Sequence, residues 1–172
     1  EKVIVSQERI AENKVFVFNN KRQPNLTCSI KSLPKKMMVT PKELKIQLMS
    51  KNNETINVVC PHIKYDIPLY LFFRLIGVET DLDITRYIML HVPKSDHKKY
   101  FQLLKPSILE VYDIKTTENA EEFILKYVTM MGYDRDKTED EKRRIYLNDI
   151  IKNDFLPHLG ENLNQKRYLL GY

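Results

Sequence analysis

Apolar residues change their spacing part-way along the chain. Before Pro61 they come in short β-branched or aromatic runs, or alternate with polar residues. Val3-Ile4-Val5, Val15-Phe16-Val17-Phe18 and a weaker Cys28-Ser29-Ile30 predict strands. Leu44, Ile46 and Leu48 alternate with Lys45, Gln47 and Met49, and Ile56, Val58 and Cys60 repeat the pattern. A period of two is the signature of a half-buried strand. The polar residues 50–54 between these two runs predict a hairpin loop. Residues 31–42, with Pro34, Pro41 and Lys35-Lys36, predict an exposed loop.

After Pro61 the period becomes helical. Pro68 suits a first helical turn, where its missing N–H is harmless. Residues 69–76 then form a nearly all-apolar, buried helix that Gly77 ends. Thr80 or Asp81 caps a helix to about Leu90. Another is predicted from Lys94 to Leu104, stopped by Pro106. Ala120, Phe123, Ile124, Tyr127, Val128 and Met131 make an amphipathic stripe, with Gly132 as its stop. Thr138-Glu139-Asp140-Glu141 reads as a capping box opening a helix through Ile151. Pro157 breaks the chain, and a last short helix starts near Asn162. Strands first and helices afterwards predict an α+β fold: N-terminal antiparallel strands packed with a C-terminal set of about five or six helices.

At 172 residues the chain suits one domain, 1–172, with a core large enough to fold without staples. Hydrophobic residues at 42% and charged residues at 30% exclude disordered, collagen-like and coiled-coil compositions. No apolar run approaches the ~20 residues that cross a bilayer, so no membrane partner is expected. The chain begins at Glu1 with no basic-then-apolar leader, and a fragment of something longer is expected. Cys28 and Cys60 are read as reduced residues in or near the core. The net charge of +5 is uneven: residues 1–60 hold 11 Lys and Arg against 5 Asp and Glu. Such a surplus suits a polyanion or a solvated lysine-rich surface.

Chemistry is sparse. With four glycines there is no phosphate loop, dinucleotide fingerprint or nucleophile elbow. His62, His91, His97 and His158 lack the i, i+4 spacing of a helical metal site. A metal or acid–base site would have to gather His91, His97 and acids such as Asp96. Asp81 and Asp83 sit where helix starts favour acids. Asp134-Arg135-Asp136 reads as a polar loop. Lys35-Lys36, Lys98-Lys99 and Lys142-Arg143-Arg144 could each meet nucleic-acid phosphate, or could be ordinary solvated surface. From the residues alone, a binding or assembly module is the reading, with no catalytic and no metal-binding residue assigned.

Three blocks then carry a resemblance. They are Glu1-Lys2-Val3-Ile4-Val5-Ser6-Gln7-Glu8-Arg9 with Asn13; Pro61-His62-Ile63-Lys64-Tyr65-Asp66-Ile67-Pro68 with Arg74-Leu75-Ile76-Gly77; and Asp154-Phe155-Leu156-Pro157-His158-Leu159 with Lys166-Arg167-Tyr168-Leu169-Leu170-Gly171-Tyr172. In order and spacing they resemble the lobe domain of the second-largest subunit of eukaryotic and archaeal multisubunit DNA-directed RNA polymerases. The family usually has Ala-Leu-Gly where this chain has Leu75-Ile76-Gly77. The Lys- and Asn-rich composition suggests a fast-evolving source, a large DNA virus first and an AT-rich eukaryote second.

The resemblance implies a lobe inserted in a protrusion domain, forming one wall of the DNA cleft. It implies DNA template, nascent RNA, the largest subunit, a small subunit and initiation factors as partners. The fragment itself is expected to be non-catalytic and without a cofactor, with magnesium and zinc held elsewhere in the enzyme. A nuclear location is implied for a cellular source, and host cytoplasm or virion for a viral one. By resemblance to the bacterial Val-Ile-Val-Ser-Gln stretch, Lys2, Gln7 and Arg9 are candidates for facing nucleic acid, joined by Lys35 and Lys36 on charge. Gln7, Glu8 and Arg9 could equally knit the lobe to the protrusion. The alternative for the whole chain is a protein-docking module without direct DNA contact.

Overall fold

In the computed structural model the described residues are 15–20, 25–32, 42–49, 54–60, 62–128, 139–151, 155, 156, 159 and 162–172. Five strands come first: β1 (Val15–Asn20), β2 (Asn25–Ser32), β3 (Lys42–Met49), β4 (Thr55–Val59) and β5 (Ile67–Pro68). They lie in chain order as one antiparallel sheet. Met49 pairs with Thr55, so β3 and β4 flank the predicted hairpin connection. The exposed loop predicted for 31–42 is shorter at both ends, because Lys31 and Ser32 close β2 and Lys42 opens β3. Val3–Val5, another predicted strand, lies outside the described residues.

The register places Val17, Cys28, Ile46, Val58 and Ile67 in one row across all five strands. Directly paired residues share a sheet face, so this row belongs to the apolar face. Its burial rises steadily, from an exposed Val17 to fully buried Val58 and Ile67. Among the described residues, α1 and α3 pack at the β4–β5 end.

Among the described residues six α-helices follow: α1 (Leu69–Leu75), α2 (Asp81–Met89), α3 (His97–Glu110), α4 (Thr117–Leu125), α5 (Glu139–Asp149) and α6 (Leu163–Gly171). Every residue of α1 is buried. Pro68 caps this helix from β5 instead of sitting in its first turn. Gly77 stops it at φ +83°, a left-handed conformation that costs glycine nothing. Thr80, Thr116 and Asn162 cap α2, α4 and α6, each side-chain oxygen accepting from the backbone N–H three residues on. The capping box proposed at Thr138 lies outside the described residues, although α5 begins where it predicts.

Two predicted helix ends are corrected. Pro106 does not stop α3, which runs on to Glu110. Proline inside a helix costs about 3 kcal/mol. Beyond it, Ser107 and Val111 are buried, and Ser107 Oγ accepts from Ile56 N at 2.9 Å. These contacts offset the break. The second correction concerns α4, which ends at Leu125, well before Gly132. There Val128 leaves the helix to bridge Ile63, and Tyr127 O accepts from Lys64 N at 3.0 Å. The predicted stripe thus splits: Ala120 and Ile124 are buried from the helix, Val128 from the bridge.

The core joins both halves. Phe72 and Phe155 meet edge to face at 5.0 Å between ring centroids. Gly171 lets α6 approach α2 closely, since a Cβ there would stand 2.5 Å from the Tyr87 carbonyl oxygen. Cys28 is half-buried and Cys60 buried, and neither forms a disulfide.

Candidate interaction surfaces

Several polar groups inside the molecule hold it together. Arg74 is the clearest case, only 1% exposed in the middle of an apolar helix. Its guanidinium donates to the carbonyls of Glu79 (3.3 Å), Val111 (2.9 Å) and Ile114, and pairs with Asp81. One cation therefore ties α1 to the start of α2 and to the α3–α4 connection. A charged side chain in an otherwise apolar run such as Leu69–Leu75 is the sequence signal for such a clamp. Lys166 is buried as well, donating to the Phe155 carbonyl at 2.8 Å, and that burial lowers its pKa. Arg167 Nε donates to the Ile76 carbonyl at 2.9 Å, just before Gly77.

The two acids read as a helix start are structural. Asp81 faces Arg74. Asp83 accepts from the Thr80 hydroxyl at 2.6 Å and from Arg86 at 2.9 Å. Those bonds, the threonine's first, lower its pKa. The described histidines gather no site. His97 Nε2 lies 3.0 Å from the Val92 carbonyl, and His91 sits edge-on to Tyr172. Among the described residues no group of three His, Cys, Asp or Glu could hold a metal. His158, Asp134 and Asp136 lie outside them. A hollow of about 450 Å³ opens among α1, α4, α5 and α6, but its cations, Lys166 and Arg167, are spent on backbone carbonyls. The hydroxyl–carboxylate contacts, Thr80 with Asp83 and Thr117 with Glu79, lie exposed around the starts of α2 and α4, and buried Ser107 has its hydroxyl on Ile56 N.

The surface has two features of interest. The first is the β1 end of the sheet, where Val15, Phe16, Val17 and Phe18 are all exposed. The run of β-branched and aromatic residues predicts a strand there, and nothing in the sequence says that both faces stay open. The second is the outer side of α3. Lys98 and Lys99 are exposed there beside exposed Tyr100, Phe101, Leu103 and Leu109. Arg144 of the third basic cluster is exposed on α5, while Arg143 is half-buried. The residues singled out for nucleic acid, Lys2, Gln7, Arg9, Lys35 and Lys36, lie outside the described residues. No helix among the described residues is long and apolar enough to cross a membrane.

Comparison with known proteins fits this picture. The chain is 33% identical over 177 residues to the DNA-directed RNA polymerase II subunit RPB2 of Encephalitozoon cuniculi, covering 100% of this chain and 15% of the relative. It is 33% identical over 182 residues to the Schizosaccharomyces pombe subunit RPB2, covering 100% of this chain and 14% of that one. It is 30% identical over 179 residues to the DNA-directed RNA polymerase subunit Rpo2 of Saccharolobus solfataricus, again covering 100% and 14%. The chain thus spans about a seventh of the length of these relatives. Residues 11–172 match the family described as RNA polymerase Rpb2, domain 2, and the chain belongs to that family.

Proposed function

We propose that the chain is the lobe of the second-largest subunit of a DNA-directed RNA polymerase. There it forms one wall of the DNA cleft and a docking surface for factors during transcription. The observation that carries this reading is the family match over residues 11–172, with relatives named as polymerase subunits aligned along the whole chain. The role is mechanical and electrostatic. Basic side chains offered to phosphate hold nucleic acid without reading its sequence. The surplus of Lys and Arg in residues 1–60 supplies them, with Lys2, Gln7, Arg9, Lys35 and Lys36 nearest DNA or nascent RNA. The catalytic magnesium and the zinc would belong to other parts of the assembled enzyme. Its neighbours would be the protrusion, the largest subunit, a small subunit and initiation factors. The eukaryotic relatives favour a nuclear location; a large DNA virus as source would move it to host cytoplasm or virion.

A second reading, protein docking without DNA contact, is favoured by exposed apolar side chains on the helical half, Phe101 and Leu109 among them. A chimaera separates the two. This chain replaces the matching segment of the fission-yeast subunit, and the polymerase is purified and tested for transcription and for DNA retention against salt. An enzyme that assembles and transcribes supports the polymerase reading; a folded chimaeric subunit that fails to assemble overturns it. With Lys35→Glu and Lys36→Glu, DNA retention should fall and its salt dependence should flatten. Unchanged retention and salt slope would leave docking as the role.

A further inference from the structure

We propose that the outer face of α3 is a docking site for an acidic peptide segment of another protein, one that carries two apolar side chains. The inference rests on the docking role proposed above, and it names the surface and the chemistry of the partner. The inner face of α3 is spent on the core through Leu104 and Ser107. Helical periodicity brings Lys98, Phe101, Gln102, Lys105 and Leu109 together on the opposite side. Phe101 is 50% and Leu109 61% exposed, and the two lysines are exposed beside them. At the helical rise, Phe101 and Leu109 stand about 12 Å apart along the axis. Between them an open hollow of about 450 Å³ is lined by Gln102, Lys105, Pro106, Leu109 and Glu110. Pro106 has no N–H to give the Gln102 carbonyl, so the hollow lies where the helix ladder is broken.

Charge decides the occupant. Lys94, Lys98, Lys99 and Lys105 stand in or beside the first three turns, against Asp96 alone. Counting Glu110, the one acid lining the hollow, the lysines still outnumber the acids four to two. A partner must therefore bring negative charge. It must also cover two separated apolar side chains, one of them aliphatic. Nucleic acid would satisfy the lysines and could stack on Phe101, but it would gain little from Leu109. An acidic segment with apolar residues about 12 Å apart satisfies all four positions, as two turns of helix or about four extended residues do.

The test titrates the 172-residue chain with a fluorescent synthetic peptide of interspersed glutamate, leucine and phenylalanine. Polyglutamate and a short single-stranded oligonucleotide serve as comparators. The mixed peptide should bind, and should lose at least about tenfold in affinity both with Lys98→Glu plus Lys105→Glu and with Phe101→Ser plus Leu109→Ser. All four positions are exposed, so circular dichroism of the variants should match the parent chain. Equal binding of polyglutamate, binding unaffected by either pair, or an oligonucleotide that binds through the lysines while the peptide does not, would each overturn the proposal. A chimaeric polymerase that assembles while peptide binding fails would sink this inference alone. Intact peptide binding with failed assembly would sink the polymerase reading alone.

Discussion

Val17 and Ile67 stand in the same row of the same face of one sheet, yet Val17 is 67% exposed and Ile67 0%. Both are β-branched and both sit in strands. The difference lies in what crosses over them. At the β5 end the chain turns directly into α1, whose seven residues are all buried, and α3 locks onto β4 through the Ser107 hydroxyl. Because β5 is two residues long, the Ile56 N–H lies beyond its reach, and a helix side chain takes the place of the missing strand. At the β1 end no described helix arrives. The strand keeps four large apolar residues open on both faces, with no charge to guard them. Exposed edges of this kind are what natural sheets ordinarily blunt or cover. One end of the sheet therefore serves the core, while the other is available to a neighbour.

That contrast can be put to the proof by substitution. Ile67→Ala should cost the most, about 2–5 kcal/mol, because the site is fully enclosed and a cavity remains. Denaturant unfolding of the isolated chain measures it; a loss below about 0.5 kcal/mol would mean that the β5 end is not part of the core. Ser107→Ala should cost about 1–3 kcal/mol by leaving the Ile56 N–H without its partner. Faster hydrogen exchange confined to the Ile56 amide and its β4 neighbours should accompany that loss, and uniform exchange throughout would contradict the edge-capping role. Val17→Thr should matter least, within about 0.5 kcal/mol, since its side chain already faces solvent. A loss as large as that at Ile67 would show the β1 end to be buried in solution, and the comparison would collapse.

How much could be read beforehand follows the reach of each interaction. Strands β1 to β4 and the helix at Leu69–Leu75 follow from spacing, because side-chain period is a property of a few consecutive residues. The caps at Thr80 and near Asn162 were legible for the same reason, since each closes over three residues. The family resemblance rested on three blocks, and the match over residues 11–172 upholds it. The nucleic-acid candidates Lys2, Gln7, Arg9, Lys35 and Lys36 rest on resemblance and charge alone. Pro106 and Val128 mark where local reading stops: a break that looks decisive at Pro106 is outweighed by the contact with Ile56, and a stripe that looks continuous through Val128 is cut short by pairing with Ile63.

The sequence by itself determined the α+β class, the order of strands and helices, most helix starts and the family, all carried by short-range pattern and motif order. Only the tertiary structure decided that α3 runs through its proline, that Arg74 is a buried clamp, and which part of the apolar sheet face is covered. Those outcomes depend on contacts between residues far apart in the chain, such as Arg74 with Val111 and Ser107 with Ile56. Periodicity assigns a residue to a face; only packing determines whether anything lies against it.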